Sequence, residues 1–62
     1  MIELKTFFHG WREVTKEQAV EHFETFKRES PALSGDEKRL YYNKHKIRGA
    51  YFNEKNELME EN

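Results

Sequence analysis

Hydrophobic and polar positions alternate over Ile2–Phe8. Ile2, Leu4, Thr6 and Phe8 fall on one side, and Glu3, Lys5 and Phe7 on the other. A period of two predicts a half-buried strand over residues 2–8, with Phe7 standing out on its polar side. His9-Gly10 breaks the alternation, and Trp11 and Val14 lead into the next element. There, Thr15-Lys-Glu-Gln18 fits a capping box. The Thr15 hydroxyl accepts from the Gln18 backbone N–H, while the Gln18 side chain reaches back to the Thr15 N–H. Val14 and Ala19 stand where a hydrophobic staple would close over that cap.

From the cap onward the period changes. Ala19, Val20, Phe23 and Phe26 follow helical spacing and form one apolar stripe. Glu17, Glu21, Glu24 and Glu29 lie largely off it. Lys27 and Arg28 occupy the last turn, where the helix dipole favours cations. Ser30-Pro31 stops the helix, because the residue before a proline is pushed out of the helical region. The pattern predicts a helix over 16–29 and a loop over 30–36.

Two further strands are predicted over 38–43 and 46–53, joined by a short turn around Asn43–Lys46. A last segment, 57–60, reads as a short strand or a tail. Asn53-Glu-Lys-Asn56 has the composition of a hairpin turn, with Asn56 suited to a positive φ. The pattern therefore predicts one α+β domain over residues 1–62, with a single helix packed on a mostly antiparallel sheet in the order β-α-β-β-(β).

Composition sets the scale of the core. The chain has 62 residues, of which 35% are hydrophobic and 37% charged, with a mean hydropathy of −1.13. A domain this small has a net stability of about 3–9 kcal/mol. Nine aromatic residues lift the chain out of the disordered class, since a few large rings support a thin core. There is no cysteine, so disulfide staples and thiolate chemistry are excluded. No apolar run approaches the roughly 20 residues that span a bilayer, and the first residues lack the form of a secretory leader. These features predict a cytoplasmic protein with no membrane partner.

The residues that carry chemistry elsewhere are scattered here. His9, His22 and His45 fall on different elements without ligand spacing. His22-Phe23-Glu24 resembles half of a zinc-deaminase signature, but its P-C-x-x-C half is absent. Glu17 and Glu21 share a helical face that reads as solvated, not as a desolvated acid–base pair. Gly10, Gly35 and Gly49 are isolated and make no phosphate-binding loop. The expectation is a non-enzymatic chain with no catalytic residue, metal, cofactor or small-molecule substrate.

What remains is a chain acting by contact. Arg39–Phe52, RLYYNKHKIRGAYF, contains no acid in a chain whose formal net charge is −1. A helix covers one side of a sheet, and the other side meets water or a partner. That open side is expected to carry Arg39, Tyr41, Arg48 and Phe52, with Lys44 and Lys46 at a hairpin tip. Phe7 and Trp11 are candidate aromatic anchors, Trp11 alternatively capping the core behind the helix start.

Aromatic residues and arginine dominate protein interfaces. The leading expectation is therefore a protein-interaction module, whether adaptor, inhibitor or self-associating. The alternative is nucleic-acid binding, with rings stacking bases and Lys and Arg neutralising phosphates.

Overall fold

The computed structural model describes residues 1–61. Its elements are β1 (Ile2–Thr6), β2 (Gly10–Val14), α1 (Lys16–Glu29), α2 (Gly35–His45), β3 (Ile47–Arg48), β4 (Ala50–Phe52) and β5 (Leu58–Glu60). The class is mixed α+β with antiparallel pairing, as the pattern predicts. There are two helices rather than one, and the strands form a three-stranded sheet ordered β2-β1-β3 and a two-stranded sheet β4-β5.

The first strand stops at Thr6 because the chain reverses there. β2 pairs antiparallel with β1, from Ile2 opposite Val14 to Thr6 opposite Gly10. Phe7, Phe8 and His9 are left as a three-residue loop. Such loops close through a residue in the left-handed region, and Gly10 supplies it at φ 62°. The His9 N–H donates to Thr6 Oγ1 at 3.2 Å and ties the turn to the strand.

Helix α1 starts at its capping box, with both reciprocal bonds present. Ala19 and Phe23 are buried, and Phe26 and Val14 pack against the core. Val20, assigned to the stripe on spacing, lies on the exposed side.

The expected strand over 38–43 is instead the body of α2. A second capping box, Ser34-Gly-Asp-Glu37, nucleates it, with the Ser34 hydroxyl accepting from the Glu37 N–H. Asp36 and Glu37 in the first turn and Lys44 and His45 in the last complement the dipole. Tyrosine favours strands on half-exposed surfaces, but two good ends outweigh that preference here. The buried face of this helix carries only one apolar residue, Tyr42.

Lys38 joins the two helices by donating its ammonium to the Lys27 carbonyl at 2.6 Å. The expected strand 46–53 breaks at Gly49, which has φ 80°. A Cβ there would collide with the Met1 carbonyl oxygen. This kink passes the chain from one sheet to the other.

The core is one cluster with buried residues from every element except β2, which adds the partly buried Val14 at its edge. Leu4, Ala19 and Phe23 are fully buried, with Ile2, Tyr42, Ile47, Ala50, Phe52 and Leu58 around them. Phe23 stacks on Phe52 with ring centroids 4.0 Å apart, and Tyr42 meets both edge-on at 5.2 and 5.8 Å. Asn43, next to Tyr42, serves β4 as a substitute strand. Its Nδ2 donates to the Phe52 carbonyl at 2.9 Å, and its Oδ1 accepts the Phe52 N–H at 2.8 Å.

Two expectations follow for stability. Phe52→Ala should cost about 3–5 kcal/mol, comparable with the whole stability of a chain this size, so circular dichroism should show an unfolded or barely folded protein. Asn43→Ala leaves a part-buried N–H and C=O without partners and should cost about 2 kcal/mol. Urea denaturation measures this, and an unchanged midpoint would mean that water replaces the amide without loss.

Candidate functional site

The residues expected to share one open face are distributed over four places. Phe52 is 2% exposed and belongs to the core, because it lies on the inward side of β4 opposite Leu58. Arg39 is not free either, its side chain being about 12% exposed. Its Nη2 lies 3.5 Å from the Asp36 carboxylate, and its Nε is buried without a hydrogen-bond partner. Lys44 is exposed in the last turn of α2, and Lys46 is its C-cap residue, so neither sits on a hairpin tip.

Arg48 and Trp11 do meet, on the outer face of the three-stranded sheet. The Arg48 guanidinium lies 3.9 Å from the Trp11 ring centroid. Each of these side chains is therefore partly used by the other, in a contact worth about 0.5–1 kcal/mol at such sites. Trp11 is half-buried and stands outside the core cluster, so it neither caps the core nor projects as an anchor. The same sheet face carries Glu3 and Glu13 in register with one another. Its charge is mixed, and it offers no continuous cationic platform.

Tyr41 and Lys46 come together elsewhere, at the junction of the helices. Tyr41 stacks on Phe26 with centroids 5.7 Å apart, and the Lys46 ammonium lies 6.0 Å from the Tyr41 ring. Phe7, the remaining candidate anchor, stands where strand alternation did not place it. It occupies the hairpin tip with Phe8, the two rings edge-to-face at 5.0 Å. Phe7 is 93% exposed and Phe8 85%. The pairing of β1 with β2 holds both rings outward as a finger.

Beside the finger lies a groove of about 320 Å³. Lys5, Phe7, Phe26, Glu29, Tyr42 and Lys46 contribute to its lining. Its position follows from backbone pairing: the Lys5 N–H donates to the Lys46 carbonyl at 2.9 Å, which sets the base of the finger against the end of α2. His22 and Thr25 also border it, and they continue it into a second depression of about 240 Å³ next to Gln18 and Glu21. The groove's volume lies at the bottom of the roughly 300–1,000 Å³ range of small-molecule sites, room for one or two side chains or a small ligand. Among the described residues no three His, Asp or Glu side chains gather as a metal site requires, and no helix is long and apolar enough to cross a membrane.

The sequence carried a signal for this site that strand periodicity hid. Gly10, separated from Thr6 by three residues and followed by Trp-Arg-Glu-Val, has the form of a short hairpin return. Reading it so would have put Phe7 and Phe8 at a tip. The stretch Leu4–Arg12 is also acid-free and contains Lys5, His9 and Arg12.

Tyr42, on the groove lining, also titrates unusually. Burial pushes its hydroxyl up to about 12 from an ordinary 10.0, because a desolvated phenolate is disfavoured. The fold thus holds the neutral ring. That contribution is complete below pH 10 and is lost as pH rises from 10 through about 12. Thermal melting should decline over that window, and Tyr42→Phe should make the decline shallower. An equally steep decline in the variant would assign the effect to other groups. Comparison of the chain with protein-family models, with curated proteins and with solved structures finds no match.

Proposed function

We propose that this chain is a non-enzymatic, cytoplasmic protein-binding module that docks through the Phe7–Phe8 finger and the groove beside it. The observation that carries this reading is the exposure of two adjacent phenylalanines, 93% and 85%, on a tip fixed by strand pairing. Burying a phenylalanine is worth about 1.5–3 kcal/mol, and a soluble domain leaves that unused at both positions. The finger is already ordered, so little conformational entropy is lost when it docks. The acid-free stretch Leu4–Arg12 that carries it, with Lys5, His9 and Arg12, favours a partner with acidic groups around an apolar pocket.

The nucleic-acid alternative relied on 38–52 as one open face. That stretch is divided between a helix, the core and two sheets, and supports stacking of successive bases less well. It enters as the competing outcome of the test.

Photo-crosslinking in a cell lysate should recover specific proteins with the unaltered chain and lose them with Phe7→Ser/Phe8→Ser. Circular dichroism of that variant should be unchanged, since exposed substitutions away from the core shift stability by about 0.5 kcal/mol or less. Capture should persist at high salt, because an apolar anchor is not screened. Identical capture by both chains overturns the reading. So does an amide NMR titration in which short oligonucleotides give saturable, salt-sensitive shifts centred on 38–48.

A further inference from the structure

We draw no further inference here: the strongest candidate, the aromatic-floored groove between the Phe7–Phe8 hairpin tip and the end of α2, is lined by Lys5 and Lys46 against the single carboxylate of Glu29, and nothing in the structure shows what covers it.

Discussion

Three aromatic rings, Phe23 from α1, Tyr42 from α2 and Phe52 from β4, hold the two helices and the two sheets in one body. In a larger domain such a cluster is one region of the core among several. Here the buried set among the described residues is nine, and the three rings are its bulk. Aromatic rings suit a thin core because each buries about 150–250 Å² with few rotatable bonds to fix. The consequence is that no element is independently stable. β4 and β5 form a two-stranded ribbon of three pairs, which is marginal by itself, and depends on Phe52 and Leu58 reaching the rings.

Backbone satisfaction imposes the second constraint. With such short strands, the free edge of β4 lies against α2 rather than another strand, and Asn43 fills both hydrogen-bonding positions of Phe52. That demand explains why α2 presents a polar residue inward, and Arg39 one turn earlier is drawn toward the same face. Gly49 completes the arrangement, since only a residue free to take φ 80° beside the Met1 carbonyl lets β3 and β4 belong to different sheets.

These constraints determine which parts of the fold were legible in the chain. Helix α1 was readable from end to end, because its cap, apolar stripe and proline stop all agree. The turn before β5 was readable through Asn53 and Asn56, whose side-chain and positive-φ roles are local, whereas the pattern of 57–60 suits a short strand and a tail equally. Helix α2 was hidden, because the residues it turns inward include Arg39 and Asn43, so no hydrophobic period marks it. Only the Ser34–Glu37 capping box announced it.

The candidate surface failed for the same reason. Assigning 38–52 to alternating strands sends Phe52 outward, whereas a helix followed by a kinked strand sends it into the core. The finger was obscured differently: Phe7 and Phe8 continue the strand's alternation by residue type, and the reversal is marked only by Gly10.

Among the described residues the finger carries the most exposed large hydrophobic side chains, Phe7 and Phe8, and the fold's own needs do not account for them. A three-residue loop closed by Gly10 requires nothing apolar at its tip, and polar residues there would serve the hairpin equally while improving solubility. The core gains nothing from Phe7 or Phe8, which contact it at neither ring according to their exposure. Elsewhere most aromatic residues are in use: Trp11 is covered by Arg48, Tyr41 lies on Phe26, and Phe23, Tyr42 and Phe52 meet in the core, while Tyr51 stays 40% exposed on the outer side of β4. Against that background two rings standing in water side by side, next to an aromatic-floored groove, are the feature on which the proposed docking role rests. The strand pairing that keeps them off the core is also what places them together on one tip.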